Sequence, residues 1–359
     1  MYVSWVTTCS PTATKTPDDS WLRQVRLQAG GPGNDVVKGL LIILLAASGQ
    51  VFAQDSARNW LDEMSSALQT LDYEGTFVYL HDDRLEAMRI IHRMDAGGQR
   101  ERLVSLTGSA REVLRDDKSV TCIMPDNKSV MVGQSRPRQP FPVVPKDLDS
   151  ASPYYNLEDA GDDRMTGLSA RVIAITPRDD FRYGYRFWID KNTRMLLKSD
   201  LTGVDGKPIE QVMFTRLVIG PDIPSDELQP SLTGDGYTWH RQEDIRAPAG
   251  SSKAGQPGWR AGKLPGGFGL THFQHKRMRE GRSDAEHMVF TDGLATVSVY
   301  VEHSPAGRSG FIGLSTMGAM NAYRVMQGDS QITVVGEVPA ATVEMIANSL
   351  VPVGDESHD

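Results

Sequence analysis

The change of hydrophobic period after residue 71 constrains the fold of this chain most. Residues 56–71 follow the period of a helix, with Ser56 as the expected N-terminal cap. Its apolar face consists of Trp60, Leu61, Met64, Ala67, Leu68 and Leu71. From residue 75 onward, apolar residues recur at every second position, in runs at 75–81, 86–94, 100–106, 111–116 and 119–125. Polar turns separate these runs, which predicts an antiparallel meander.

The alternating pattern returns after a proline-rich segment at 136–153, which we interpret as a long loop of the kind that often carries function. Further strands are predicted at 168–176, 182–190, 194–201 and 209–217. Turns at 190–193 and 204–207 connect the last three of them. The sequence therefore predicts one curved antiparallel sheet with one long helix.

A segment with three prolines and four acidic residues, 220–236, is the best candidate for a domain linker. It separates a larger unit at 54–219 from a smaller α+β unit at 237–352, with 353–359 as a tail. A second flexible loop is expected at 246–258. Strands of the smaller unit are predicted at 269–278, 285–292, 294–303 and 331–338. Pro339 then opens a helix with an apolar face of Val343, Ile346, Ala347 and Leu350.

A short apolar stretch upstream of the first helix indicates export. Lys38 precedes the apolar run Leu40–Ala47, and Val51-Phe52-Ala53 offers small residues at positions −3 and −1 of a cleavage site. The run is far shorter than the roughly 20 residues that span a bilayer. We expect residues 1–53 to comprise an upstream extension from a misplaced start codon and a signal peptide cleaved after Ala53. The mature protein would then begin at Gln54, in the periplasm.

Charge and cysteine content narrow the function classes. The chain carries 38 Lys and Arg against 46 Asp and Glu, a net charge of −8. This balance argues against nucleic acid as a partner, because no overall positive field attracts phosphate. Cys9 lies in the part expected to be removed, so Cys122 is expected to be a lone thiol. It alternates with Val120 and Met124, which favours a role as a small core residue.

The residues that could carry chemistry do not form a catalytic set. The segment 258–264 lacks the first glycine and the final Ser or Thr of a phosphate loop, and Ser315 lacks the spacing of a nucleophile elbow. His272 and His275 lie in a predicted strand, where positions three apart face opposite ways, so no metal site is predicted. No cofactor is predicted either. Acidic pairs at 82–83, 116–117 and 162–163 are interpreted as solvated turn residues.

Methionine and aromatic residues are frequent on the predicted helix and strands, and two interpretations stay open. They form an ordinary packed core, or a curved sheet with one helix leaves a cavity lined by them. Methionine is flexible and polarisable and therefore suits a cavity for irregular acyl chains. The candidate cavity residues are Phe77, Tyr79, Met88, Ile90, Tyr185 and Phe187.

Several segments resemble the MucB/RseB family across residues 57–352. They are GTFVY at 75–79, ERLVSLTGSAREVLRDD at 101–117 followed by a C-x-x-P motif at 122–125, FWIDKNTRMLLKSDL at 187–201, LPGGF at 264–268 and VVGEVPAATVEMIANSL at 334–350. The resemblance rests on their shared order and spacing, since none carries chemistry. It implies a mainly antiparallel β fold: an N-terminal unclosed β-barrel with a helix, as in the LolA/LolB carriers, and a smaller C-terminal α+β domain.

The same resemblance implies a regulator that binds the periplasmic segment of an RseA/MucA-type anti-sigma factor and shields it from the site-1 protease. Lipid or lipopolysaccharide would relieve that protection, and family members self-associate as dimers. The family pattern has an arginine before a glycine where this chain has Ser315-Thr316-Met317-Gly318. Any contact that this arginine makes with an acidic partner would here be altered, or supplied by Arg308 or Arg324.

We expect the partner to bind the smaller unit, because Tyr, Trp and Arg dominate interface energetics. The candidate residues are Trp259, Phe268, Tyr300, Arg308 and Tyr323. The alternative function is a periplasmic lipid or lipoprotein carrier of the LolA/LolB type, which would keep lipid transfer without residues 237–359. A secreted hydrolase is disfavoured because the sequence offers no nucleophile, base and orienting group together.

Overall fold

A computed structural model describes residues 47–134, 141, 144, 152–231, 236–241, 256–276, 285–303 and 312–354, with side chains from residue 57 onward. Helix α1 (Ala47–Thr70) begins nine residues before Ser56 and runs through the expected cleavage site after Ala53. The expectation that Ser56 caps the helix is therefore wrong: no proline interrupts residues 47–55, so the helical backbone continues upstream. The predicted apolar face is confirmed, with Leu61, Met64 and Leu68 buried.

Twelve strands form one open sheet. They are β1 (Tyr73–His81), β2 (Arg84–Asp95), β3 (Gly98–Ser105), β4 (Glu112–Asp116), β5 (Ser119–Met124), β6 (Ser129–Gln134), β7 (Tyr155–Met165), β8 (Leu168–Pro177), β9 (Gly184–Asp190), β10 (Leu196–Thr202), β11 (Pro208–Ile219) and β12 (Thr238–Arg241). Their order is β12-β6-β5-β4-β3-β2-β1-β11-β10-β9-β8-β7. Neighbours are antiparallel except β12 and β6. The predicted meander and the unclosed sheet are confirmed.

Close packing and a bulge bend this sheet in its middle. The pairing of β1 with β11 shifts register between Thr76 and Phe77, and such bulges increase local twist and bend the strand. Gly75 lies beside the shift. A Cβ there would lie 2.7 Å from the Phe214 ring and 2.8 Å from the Arg216 carbonyl oxygen, so only glycine fits. We call the face of the sheet that α1 covers the inner face.

Strand β7 was not predicted, and it corrects the interpretation of one acidic pair. Asp162 and Asp163 lie on this edge strand rather than in a turn. Arg171 of β8 donates to Asp162 at 2.6 Å, and the Trp188 indole of β9 donates to Asp163 at 2.8 Å. These partners, on the adjacent strand β8 and on the next strand β9, stabilise a strand whose own composition does not favour one.

The remaining strands build a smaller unit. They are β13 (Trp259–Ala261), β14 (Gly269–Lys276), β15 (Ala285–Thr291), β16 (Thr296–His303), β17 (Gly313–Met317), β18 (Met320–Gln327), β19 (Ser330–Gly336) and β20 (Leu350–Pro352). Six of them pair in the order β14-β15-β16-β19-β18-β17, and β13 pairs with β20. Helix α2 (Ala340–Ser349) buries Val343 and Ile346 against this sheet, as predicted. Strands β17 and β18 were not predicted.

The segment between the two units is attached to the larger one. Ile223 and Leu228 are buried with Ile91 of β2. Arg93 donates to the Ile223 carbonyl at 2.7 Å, and Arg102 donates to the Glu227 carbonyl at 2.9 Å. Strand β12 lies beyond the predicted linker yet joins the first sheet, so residues 238–241 pair with the larger unit and not with the smaller one to which the sequence analysis assigned them.

Two further expectations concern single features. Cys122 is buried in the core, as predicted. The expectation of a lone thiol concerned the chain after cleavage at Ala53, and it stays a prediction. In the described part of the chain, no helix has the length and apolarity of a membrane span.

Candidate functional site

The six predicted cavity residues all face the same side of the first sheet. They occupy alternate positions on β1, β2 and β9, and alternate residues of a strand share a face. The same hydrophobic cluster contains Leu61, Met64 and Leu68 of α1, which places the six on the inner face. These residues are Phe77, Tyr79, Met88, Ile90, Tyr185 and Phe187.

The inner face is filled rather than empty. Side chains of α1 lie against it, and two residues of the proline-rich loop join the same cluster. The Phe141 ring lies 5.4 Å from the Phe77 ring and 5.2 Å from the Phe214 ring, centroid to centroid, and Val144 is buried beside them. The structure thus shows a packed interior where the sequence allowed either a core or a cavity.

An open cavity of about 360 Å³ lies elsewhere, at one end of β8, β9 and β10. Arg178, Arg186 and Asp200 line it, and Tyr185 is the one predicted cavity residue among its walls. Its charged lining distinguishes it from the apolar inner face, so it is a poor match for an acyl chain.

Two turns of the smaller unit cover one end of the inner face. We call residues 292–294 and 317–319 the docking turns. Leu294 is buried in the hydrophobic cluster of the larger unit. The Ala319 amide donates to the buried Glu210 carboxylate at 3.0 Å, and the Tyr79 hydroxyl donates to the other oxygen of that carboxylate at 2.9 Å. The smaller unit therefore completes the core of the larger one.

A fully buried ion pair joins the two units beside the docking turns. Arg182 donates to Asp292 at 2.6 Å and to the Gly266 carbonyl at 2.7 Å. The Tyr155 hydroxyl donates to the same aspartate at 2.9 Å, and burial, with Asp292 next in effect, raises the pKa of Tyr155. The guanidinium also lies within 5.3 Å of the Phe268 ring centroid. Because both charges are 0% exposed, losing one would leave the other unpaired in a dry site.

Sequence reasoning missed a second polar cluster, at the other end of the inner face. His92, Glu101 and Arg115 are partners across β2, β3 and β4, and Tyr73 stacks on His92 with ring centroids 4.7 Å apart. Burial raises the pKa of Glu101 to about 7, partly offset by Arg115. Burial lowers the pKa of His92, whose Nδ1 lies 2.8 Å from the Leu71 carbonyl oxygen. A charged residue at an inward position of β3 was the signal available in the sequence.

The predicted partner-binding residues do not form one surface. Phe268 is buried at the ion pair of Arg182. Trp259 and Tyr323 pack against the core of the smaller unit on the side of α2. Tyr300 alternates with the core residue Val299 and so lies on the opposite face, where its ring stacks on His287 at 4.4 Å. Arg308 lies outside the described residues.

Arg324, named as an alternative partner contact, and the two histidines considered as metal ligands all lie in strands of the smaller unit. Arg324 donates to the Thr333 hydroxyl at 3.2 Å, on the face that carries Tyr300. His272 and His275 lie in β14, the predicted strand. Across the residues with described side chains, no three His, Cys, Asp or Glu groups converge to hold a metal ion.

The fold and this interface define a two-domain binding protein of mainly antiparallel β structure, in which a small α+β domain completes the core of an unclosed β-barrel. Two family models match the chain: the MucB/RseB N-terminal domain over residues 56–232 and the MucB/RseB C-terminal domain over residues 253–351. The chain belongs to the MucB/RseB family.

Named relatives and solved structures agree with this assignment. The chain is 31% identical to the sigma factor AlgU regulatory protein MucB of Pseudomonas aeruginosa, over 87% of this chain and 96% of the relative. It is 28% identical to the sigma-E factor regulatory protein RseB of Haemophilus influenzae, over 87% and 96%. The MucA/MucB complex of P. aeruginosa superposes with a TM-score of 0.63 at 30% identity, covering 83% of this chain and 99% of that chain. A crystal structure of MucB gives 0.55 at 29% identity, covering 83% of this chain and 98% of that chain.

Proposed function

We propose that this protein regulates an extracytoplasmic sigma factor by binding the periplasmic segment of an RseA/MucA-type anti-sigma factor. Bound protein shields the segment from the site-1 protease, and lipid or lipopolysaccharide released by envelope damage relieves the protection. The observation that carries the proposal is membership of the MucB/RseB family over both domains, together with relatives that are named sigma factor regulators and solved in complex with MucA.

The domain interface supplies a mechanism for the lipid effect. Leu294 and Ala319 occupy one end of the inner face in the docked arrangement. An acyl chain that enters there has to displace these docking turns, so lipid favours the undocked arrangement. The partner, in this proposal, favours the docked arrangement. Two ligands that prefer different arrangements weaken each other's binding.

Coupling of ordinary size is sufficient for regulation. A coupling free energy of about 1–3 kcal/mol changes partner affinity by roughly 5- to 150-fold. Burying one leucine side chain contributes about 1.5–3 kcal/mol, so displacing Leu294 alone reaches this range. No covalent step is needed, and the protein acts by binding rather than by catalysis.

The site of action follows from the same proposal. The stretch at 38–53 acts as a signal peptide, cleavage after Ala53 delivers the protein to the periplasm, and the mature protein forms dimers. Intact mass of the exported protein and sedimentation of the purified product test these points. A mature protein that still contains Leu40–Ala47, or that sediments as a monomer at micromolar concentration, contradicts the corresponding point.

The partner surface is proposed on the smaller domain, at Trp259 and Tyr300. Both are half-buried and large, and they lie on different sides of the sheet. Single Ala substitutions therefore show which face the partner covers: W259A and Y300A should differ in partner affinity by tenfold or more. Unchanged affinity in both variants would move the surface elsewhere.

A protection assay tests the main proposal. Purified residues 54–359 should slow site-1 cleavage of the cognate periplasmic segment, and a saturating lipid should restore the rate. Protein with the smaller domain deleted, residues 54–241, is the control and should not protect. Equal cleavage rates with and without the full mature protein contradict the proposal.

A second candidate function is a lipid carrier of the LolA/LolB type, and the apolar character of the inner face supports it. A carrier needs only the larger domain, whereas the regulator needs both. Lipid transfer between vesicles by residues 54–241, at the rate of the mature protein, would favour the carrier.

A further inference from the structure

Two side chains on the inner face come from a loop rather than from the helix or the sheet. Phe141 is 2% exposed, and its ring contacts the rings of Phe77 on β1 and Phe214 on β11. Val144 is 4% exposed and belongs to the same cluster. The two residues share this cluster with the candidate cavity residues of β1 and β2, and Phe141 contacts one of them, Phe77, directly.

Their attachment differs from that of the other inward side chains. Leu61 and Met64 lie on α1, whose backbone hydrogen bonds fix them. Phe141 and Val144 have no backbone hydrogen bond to another described residue, and prolines stand beside them in the sequence at 140, 142 and 145. Proline has no N–H to donate, so this sequence is poorly suited to pair with a strand. In the described part of the chain, the contacts that hold the two residues in place are those of their buried side chains.

We propose that Phe141 and Val144 are an internal occupant of the acyl-chain site, which one saturated alkyl chain displaces when it binds. The inference rests on the proposed lipid binding and adds a competitor built into the chain. The aromatic ring of Phe141 and an alkyl chain are both apolar, and they would compete for the same space on the inner face. A chain too short to replace the buried surface of the occupant is therefore excluded, which gives the site a minimum chain length.

The effect of this competition on the affinity for an alkyl chain follows from the surface that each of the two buries. Each buried methylene contributes about fourfold to a binding constant, which is 0.8 kcal/mol converted to a ratio. Burial of a phenylalanine side chain corresponds to between about 10-fold and about 150-fold on the same scale. Removing the Phe141 ring should therefore strengthen alkyl binding by at least about tenfold. Equivalently, a chain two to four methylenes shorter should bind the variant as tightly as the longer chain binds the natural protein.

Calorimetric titration of the full chain with saturated fatty acids of 8 to 16 carbons, each below its micelle concentration, measures this shift. F141A should bind every acid that the natural protein binds at least about tenfold more tightly, with a shorter minimum length. F290A is the matched control, because Phe290 is an equally buried phenylalanine in the core of the smaller domain. It should leave alkyl affinity unchanged. Weaker or equal binding by F141A overturns the proposal.

A second measurement avoids dependence on how well F141A folds. With 4-fluorophenylalanine at position 141, the ¹⁹F resonance should show little solvent isotope shift in the free protein and a solvent-exposed shift once dodecanoate is bound. A resonance that stays buried while dodecanoate binds overturns the displacement and leaves lipid binding intact. Absence of binding by every acid to both proteins overturns the lipid part of the proposed function and the occupant together, whereas protection of the anti-sigma segment tests the regulatory part separately.

Discussion

The cores of the two domains are built differently, although each consists of a sheet with one helix. Among the residues that the structure describes, the core of the smaller domain draws its buried side chains from that domain itself, and one of them, Phe268, also faces Arg182 of the larger domain. The core of the larger domain is completed by parts from three sources: α1, the loop residues Phe141 and Val144, and Leu294 of the smaller domain. In our proposal, the second kind of core exchanges one apolar part for a ligand while its sheet stays folded.

The contrast assigns a role to each domain. In our proposal, the smaller domain presents the partner surface. The larger domain, whose interior is assembled from separate parts, accepts an alkyl chain at the expense of contacts that hold the domains together. Polar anchors mark the two ends of that interior: the Arg182–Asp292 pair and Glu210 at the docked end, and Glu101 with His92 at the other.

Removing the buried ion pair between the domains should have the largest effect on stability and on docking. R182M leaves Asp292 buried without its cation, and breaking such a pair costs about 3–5 kcal/mol. The loss should appear in urea unfolding and as separation of the domains in small-angle scattering. R171M is the matched control: Arg171 pairs with Asp159 and Asp162 at the surface, so it should cost about 1 kcal/mol or less. Equal effects of the two substitutions would contradict a docking role for Arg182.

Removing the inserted leucine should have the next largest effect. L294A deletes a side chain that lies in the core of the larger domain, and such deletions cost about 2–5 kcal/mol; residual exposure of 6% places this one toward the lower end. Hydrogen exchange should accelerate in β1 and β2 more than in β16. L350A, in the core of the smaller domain, should show the reverse pattern. Faster exchange in β16 alone for L294A would mean that Leu294 serves its own domain.

Acidity should stabilise the larger domain through Glu101. Its pKa of about 7 in the folded protein exceeds the ordinary value of 4.5, so the folded state binds a proton that the unfolded state does not. Stability should therefore increase by about 1 kcal/mol as pH falls from 8 to 6 and be lost as pH rises through 7. The lowered pKa of His92 acts in the opposite direction below its ordinary value of 6.5. Urea midpoints of E101Q should vary less over this pH range; an unchanged slope would remove Glu101 as the cause.

The smallest effect is expected at the outer side of α1. The Arg194 guanidinium lies 4.0 Å from the Trp60 ring centroid and donates to Glu63 at 2.5 Å. R194A should cost about 0.5–1 kcal/mol and increase hydrogen exchange in α1 without affecting α2. Equal changes in both helices would show that α1 is not a separable part.

Local pattern made most of the fold predictable. Alternation located nine of the twelve strands of the first sheet, and because alternate residues share a face, the six cavity candidates were found together. The acidic strand β7 escaped prediction because the partners of its acidic side chains, Arg171 and Trp188, stand on β8 and β9. Strand β12 has only four residues and pairs with a strand that lies more than a hundred positions earlier.

The interface between the two domains could not be predicted either, because it also joins residues that lie far apart in the sequence. Arg182 and Asp292 are 110 residues apart, and neither carries a local signal of pairing. Phe141 stands in a proline-rich stretch whose composition predicts a loop and says nothing about what its side chains contact. Residue type suggested Phe268 as a partner contact, whereas its surroundings place it between the domains. Sequence identifies inward positions within a sheet, but long-range packing decides what covers them.

The central claim is that docking of the two domains couples partner binding to alkyl-chain binding. The reciprocity of that coupling tests the claim most directly. Affinity of the mature protein for the anti-sigma segment should be measured with and without saturating dodecanoate, and dodecanoate affinity with and without the segment. If docking couples the two ligands, each should weaken the other by the same factor, between about 5-fold and 150-fold, and R182M should reduce that factor toward one. Independent affinities in both titrations would contradict the account.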